Sequence, residues 1–355
     1  MLESAIIKTD SLPNMADATT TMRSMWHSAQ SMLSQVVLML IAMLMVPADA
    51  IAELSQVPGG WRAAAALPDK RSEVSMVSDG ARLYLLGGFA PGGGNGASAP
   101  RAVYAYSSSA DSWTQLTQLP EGVNHAGLAY LDGRLYVIGG YTEATFNATG
   151  SVHIYDIKTD TWRDGPPLPT PRGALAVGVY KRRIHAIGGV DANNQNTGAH
   201  EVFDPVEGTW TTLADLPTPR DHIAAITIDN EIVVLAGRNA ATFTLTVNEI
   251  YNVITDTWRE GADVPTGRSG VAAVELDGFV YLFGGETFDP PTTFDEAERY
   301  DPRSDSWAAL PLMPTARHGL AAGVLDGRIH VVSGGPQAGL AFSDIHEVLT
   351  TQASP

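Results

Sequence analysis

The stretch WTQLTQLPEGVNHAGLAYLDGRLYVIGG, residues 113–140, decides the fold. Trp113 is followed seven residues later by Pro120, and nineteen residues after that by the pair Gly139-Gly140. Between proline and glycines, Ala126–Leu131 is small and apolar and Arg134–Ile138 is a short alternating run. Asp132-Gly133 separates them with the chemistry of a tight turn. Two such runs across Asp-Gly read as an antiparallel hairpin. Downstream, Val152–Asp156 reads as a third strand, and Asp160-Thr161-Trp162 enters a fourth.

Moving outward in both directions, the same spacing recurs. Tryptophans stand at 61, 113, 162, 210, 258 and 307, prolines at 68, 120, 169, 217, 265 and 314, and small pairs begin at 87, 139, 188, 236, 284 and 333. Only the interval from small pair to next tryptophan varies, from 22 to 26 residues, so insertions are confined to one connection. Four short strands in a unit of roughly fifty residues, with a glycine doublet and a periodic aromatic, is a propeller-blade pattern. The ends are complementary. The last copy has a third strand at Ile345–Leu349 and no tryptophan after it, whereas Trp61 has no strands before it. Val57–Arg62 is therefore predicted to supply the outer strand of the C-terminal blade and to remove an exposed edge. The expected fold is an all-β propeller of six blades, each with four antiparallel strands.

With its glycine doublets, Tyr-Asp steps such as Tyr155-Asp156 and Tyr300-Asp301, and late tryptophans, residues 57–350 resemble the kelch family. The resemblance implies a radial six-sheet propeller with each tryptophan packed between neighbouring blades. Galactose oxidase is similar by propeller architecture. Its radical cofactor requires a cysteine cross-linked to tyrosine, and this chain has no cysteine.

That absence also excludes disulfides, thiolate zinc sites, cysteine nucleophiles and iron–sulfur clusters. Lys and Arg total 22 against 39 Asp and Glu, a formal charge of −17, which disfavours nucleic acid and anionic membrane surfaces as partners. At the N-terminus, the apolar run Val36–Val46 precedes Pro47 and Ala48-Asp49-Ala50. The run is too short for a ~30 Å hydrocarbon layer and the Ala-x-Ala fits a signal-peptidase site. Residues 1–50 are read as a leader cleaved after about Ala50, with translation from Met1 or Met22, and 51–355 as the propeller, secreted or periplasmic. The alternative is an uncleaved anchor, the one route by which a membrane would be involved. A monomer is expected.

Alternating strand direction puts the Leu-Pro-x-x-Arg connections and the variable loops after the small pairs on one face, where function is expected. Three residues past the prolines stand Arg71, Val123, Arg172, Arg220, Arg268 and Arg317. Five guanidiniums at the channel mouth would suit an anion. Alternatively, a residue that recurs so regularly ties strands together through backbone carbonyls and its own stem. Residues that break the symmetry are better pointers: His125, His222 and His318, each a possible acid, base or neutral metal ligand, or simply a hydrogen-bonded loop residue. Tyr141 and Phe89 could stack on a sugar or close on a peptide, while Arg238 and Glu286 belong to the same loops. No Walker loop, His-Glu-x-x-His, Gly-x-Ser-x-Gly or EF-hand loop occurs, so no cofactor is called for and no metal ligand set is assigned.

Two functions fit. One is a binding module holding a protein, peptide or glycan on this face. The other is implied by resemblance to the periplasmic sialic-acid epimerases: a sugar mutarotase or epimerase using the arginines with Glu73, His125 or His222 as acid or base. Catalytic residues are not assigned, and fold alone does not choose.

Overall fold

In the computed structural model, residues 60–93 and 96–351 are described. The chain divides into two units, residues 1–55 and 56–355, and the expected leader falls outside the described residues. Among the described residues no helix is long and apolar enough to cross a membrane.

Six four-stranded antiparallel sheets account for the repeats. In the second blade the order from the axis outward is Gly127–Leu131, Arg134–Ile138, Val152–Asp156 and Thr161–Asp164. Asp132 (φ 50°) and Gly133 (φ 75°) both take the left-handed backbone that a two-residue hairpin requires. Each innermost strand touches those of both neighbouring blades, and the last, Ala321–Leu325, returns to the first, Ser75–Ser78. The second strands are the most deeply buried. Leu83–Leu86, for example, is buried at every position.

The ring closes as the termini required. Trp61–Ala63 pairs antiparallel with His346–Leu349, Trp61 opposite Leu349, and so becomes the outer strand of the sixth blade.

The indole of each of the six repeat tryptophans spans a blade boundary. The Nε1–H groups of Trp61, Trp113, Trp162, Trp210, Trp258 and Trp307 donate to the carbonyls of Pro311, Ala65, Thr117, Pro166, Ala214 and Ala262, all at 2.9–3.1 Å. Each acceptor lies four residues past the preceding tryptophan, so the bonds run once round the molecule. In four blades an aspartate two residues before the tryptophan (Asp111, Asp160, Asp256, Asp305) accepts the N–H of that same acceptor residue. It also accepts a tyrosine hydroxyl, from Tyr106, Tyr155, Tyr251 and Tyr300 in turn. In the third blade the acceptor residue is Pro166, which has no N–H to give. Gly208 replaces the aspartate there and Phe203 replaces the tyrosine. When the donor disappears, so do both groups that served it.

The small pairs sit where backbones crowd. The second member donates its N–H to the next blade's carbonyl: Gly88 to Val123, Gly140 to Arg172, Gly189 to Arg220, Gly237 to Arg268, Gly285 to Arg317 and Gly334 to Arg71. A Cβ on Gly237 (φ 103°) would lie 2.7 Å from the Asp221 carbonyl oxygen. The first member, at φ 57° and 64°, tolerates Ala236 and Ser333. This explains why only the first glycine of a pair is ever replaced.

Candidate functional site

The five arginines do not open onto the funnel. Arg71, Arg172, Arg220, Arg268 and Arg317 are all 0 % exposed, which corrects the expectation that they offer an anion-binding ring. Each guanidinium points back into its own blade and donates to the carbonyl of the first small-pair residue: Gly87, Gly188, Ala236, Gly284 and Ser333. Four of them pair with a buried glutamate on the third strand, Glu201, Glu249, Glu298 and Glu347. A threonine two residues before each arginine hydrogen-bonds the same carboxylate. In the first blade Asp69 and Tyr104 replace threonine and glutamate, and Asp69 grips Arg71 through two bonds of 2.7 and 2.8 Å. The second blade has Val123 with Glu121 and His153 in the partner positions, 3.9 Å apart. The arginine is a strut inside each blade, the second of the two readings.

The residues that face the axis lie two positions further on: Glu73, His125, Ala174, His222, Gly270 and Gly319. All six have φ between 52° and 67°. Their N–H groups each donate to the corresponding carbonyl of the preceding blade, from Glu73 to Gly319, His125 to Glu73, Ala174 to His125, His222 to Ala174, Gly270 to His222 and Gly319 to Gly270, which closes a circle of six bonds. Two of the six are glycine, the residue that suits this backbone. Three carry large polar side chains, and these converge.

His125 Nε2 lies 3.0 Å from His222 Nε2 and 3.2 Å from Glu73 Oε2. His125 Nδ1 is 2.7 Å from Asn124 Oδ1, and His222 Nδ1 bonds the Asp221 carboxylate. Glu73 Oε1 is 3.1 Å from His318 Nδ1, which also approaches Glu286 Oε2 at 3.4 Å. Arg238 joins the group through Asp221 Oδ1 and Glu286 Oε1, both at 3.2 Å, and His222 Nε2 at 2.9 Å.

Burial pushes His125 down to about 3, with His222 and Arg238 adding to it against the Glu73 charge, so the imidazole is neutral. Burial works against the Glu73 carboxylate. His125, the His318 hydrogen bond and the other imidazole nevertheless hold it well below the usual range. His318 moves the other way: burial would lower it, but the Glu73 hydrogen bond and the Glu73 and Glu286 charges raise it above the ordinary value.

Above this floor opens a cavity of about 500 Å³. Glu73, His125, His222, Arg238 and Glu286 form its polar base, and Phe89, Phe146, Phe288 and Leu340 its apolar wall. Phe146 is 66 % and Leu340 55 % exposed.

The structure therefore brings together His125, His222 and His318 of the expected site residues and places the arginines elsewhere. Tyr141 is buried, its ring 5.5 Å from that of His125 and packed over Gly173, so it supports the floor and does not stack on a ligand. Phe89 does line the cavity. Phe146, Phe288 and Leu340 escaped the sequence reading because they lie in the variable loops, where no spacing marks them. The axial set was findable, since Glu73, His125 and His222 all stand five residues after their repeat's proline.

A family model described as the KLHDC2/KLHL20/DRC7 kelch-repeats domain matches residues 60–215, and a kelch-motif model matches 219–265 and 267–314. The chain is 32 % identical over 132 residues to Kelch-like protein terF of Aspergillus terreus, covering 36 % of this chain and 28 % of that protein. To rat Kelch-like protein 22 it is 35 % identical over 122 residues, 34 % of this chain and 17 % of the relative. Beta-scruin of Limulus polyphemus is 28 % identical over 134 residues, 36 % and 14 % respectively. The matches thus span less than a third of these relatives.

Proposed function

Because the chain belongs to the kelch-repeat β-propeller family, whose propellers typically bind proteins, we propose that its funnel face captures a segment of a partner protein. The observation that carries this reading is the aromatic-walled cavity with a charged base. Its volume is that of a pocket for one large side chain or a short peptide end. Exposed Phe146 and Leu340 beside buried Phe89 form an apolar rim of the kind that marks binding sites. An apolar anchor residue would enter between Phe89, Phe146, Phe288 and Leu340, while Glu286 and Arg238 hydrogen-bond the segment's backbone or a polar neighbour. The proposed location is the cell envelope or exterior, on the strength of the Val36–Ala50 segment.

Panning a random peptide library on the protein tests this, with Phe146→Asp and Leu340→Asp variants as the counter-screen. Sequences sharing an apolar anchor and losing at least tenfold in affinity on the variants support the reading. Enriched peptides that bind both variants as tightly as the parent would overturn it.

The sugar-epimerase alternative draws less support. With the five arginines turned into their blades, a sugar carboxylate would have Arg238 to grip, and the acid–base work would fall to Glu73, His125 and His222. Acceleration of sialic-acid anomer exchange, followed by proton NMR, is the outcome that would favour it.

A further inference from the structure

The floor of the cavity contains an electrostatic conflict that the peptide reading does not use. The Asn124 amide nitrogen faces three backbone carbonyls, those of Glu143, Tyr141 and Thr145, at 2.6, 3.3 and 3.4 Å, so its oxygen is the atom turned toward His125. An oxygen there requires His125 Nδ1 to carry the proton, which leaves the lone pair on Nε2. The Asp221 carboxylate makes the same demand of His222 Nδ1. Two imidazole lone pairs therefore face each other at 3.0 Å, with a carboxylate oxygen of Glu73 3.2 Å from one of them. With both rings in the neutral Nδ1–H form, neither nitrogen has a proton to give the other. Facing lone pairs attract a cation, and one charge already stands at their edge, the Arg238 guanidinium whose Nη2–H donates to His222 Nε2 at 2.9 Å.

We infer that Glu73 Oε2, His125 Nε2 and His222 Nε2 bind a single divalent first-row transition ion, with zinc as the reference case. The three ligand atoms lie within 4.8 Å of one another. Donor atoms about 2.0–2.2 Å from a shared ion stand about 3.0–3.5 Å apart, and the two separations from His125 Nε2, 3.0 and 3.2 Å, fall in that range. Two imidazoles and one carboxylate suit zinc, cobalt or ferrous iron, not magnesium or calcium. Every ligand is also held from behind, His125 by Asn124, His222 by Asp221 and Glu73 by His318, the outer support that orients metal ligands. Arg238 Nη2 now caps His222 Nε2 at 2.9 Å. It is the most accessible of these groups, 20 % exposed, and has Asp221 and Glu286 to rest on when the ion takes its place.

The backbone adds a second, independent observation. Three side chains occupy left-handed positions where the fifth and sixth blades use glycine. Ala174 shares the conformation, so it is not by itself a sign of function, but convergence of the three polar residues from blades one, two and four is specific to the site. The coordination face left open looks into the cavity, where a ligand oxygen or nitrogen would complete the shell. The metal needs only these side chains and stands whether or not a peptide binds.

The glycine equivalents also supply the test. His222→Gly and the double variant Glu73→Gly/His222→Gly remove ligands while giving the backbone the residue it prefers, so folding is retained and is checked by melting. The metal-free protein is titrated with Co²⁺, following visible d–d absorption, and with Zn²⁺ by calorimetry. The expected result is one equivalent per chain, with zinc raising the melting temperature, and at least a hundredfold weaker binding in His222→Gly. Absence of a saturable one-to-one phase, or one that survives in the double variant, overturns the site. Survival would place the ion on the acidic surface or on the histidine pairs elsewhere in the fold.

Discussion

Two circles of hydrogen bonds run round this propeller, and they are built on opposite rules. In the outer circle the same side chain, tryptophan, makes the same bond in all six blades. In the inner circle the backbone makes the bond, and four residue types share the six positions: Glu73, His125, Ala174, His222, Gly270, Gly319. A backbone ring leaves its side chains free to vary, so the molecule keeps its six-fold frame while concentrating asymmetry at the axis. The arginine struts belong with the outer circle, because each repeats a within-blade task. Constancy marks the frame and departure from it marks the site.

The largest expected effect falls on the frame. Removing Glu249 leaves the Arg220 guanidinium buried without its partner, at a cost of about 3–5 kcal/mol and a fall in melting temperature on the order of 10 °C. The paired replacement Arg220→Met/Glu249→Leu should recover much of that loss. His125→Gly at the inner circle should change stability by less than about 1 kcal/mol, since it trades packing for relief of a left-handed backbone. Equal losses at the two places, measured by chemical denaturation, would break the comparison.

A smaller effect concerns pH. His185 with His200, and His330 with His346, are buried hydrogen-bonded pairs at 2.9 and 2.8 Å, each chained on to a carbonyl, of Ala214 and Ala65 respectively. Burial pushes His185, His330 and His346 down to about 4 and His200 to about 3. The unfolded chain takes up these protons near pH 6.5 and the folded one does not, so stability is full above pH 6.5 and declines as pH falls toward 4. The double variant His330→Gln/His346→Gln should flatten part of the slope of melting temperature against pH between 6.5 and 4. An unchanged slope would remove these pairs as the acid-sensitive element of the frame.

The smallest expected effect sharpens the inner circle. Ala174 has φ 53° and is buried, in the same backbone conformation as the polar residues but with no polar contact to defend. Ala174→Gly should leave stability unchanged or raise it by up to about 1 kcal/mol, strain relief opposing chain entropy. A loss above that would mean that the left-handed ring is not strained, and would weaken the reading of its side chains.

Much of the frame was legible because each of its parts is local and repeated. The seven- and nineteen-residue spacings, the Asp-Gly turns and the unpaired Trp61 led to six sheets and a shared terminal blade, since a strand's face and a turn's chemistry are set within a few residues. The substitution of Gly208 and Phe203 opposite Pro166 is equally local, although it acquires meaning only across a blade boundary. The sequence leaves the arginines open in direction. A side chain three residues past a proline can aim at the axis or into its own sheet, and the partners that hold it in the sheet, such as Glu201 and the Gly188 carbonyl for Arg172, lie 16 to 29 residues further on.

The sequence by itself determined the number of blades, their strand order, how the ring closes and which face carries variable loops. It also brought forward His125, His222 and Glu73 as separate possibilities. Tertiary structure alone decided that these three meet, with ligand atoms within 4.8 Å although they are up to 149 residues apart in the chain, and that the arginines face away from them. The physical reason is closure: a ring brings equivalent positions of distant repeats to one axis, and their contacts depend on side chains meeting across it, which no single repeat encodes.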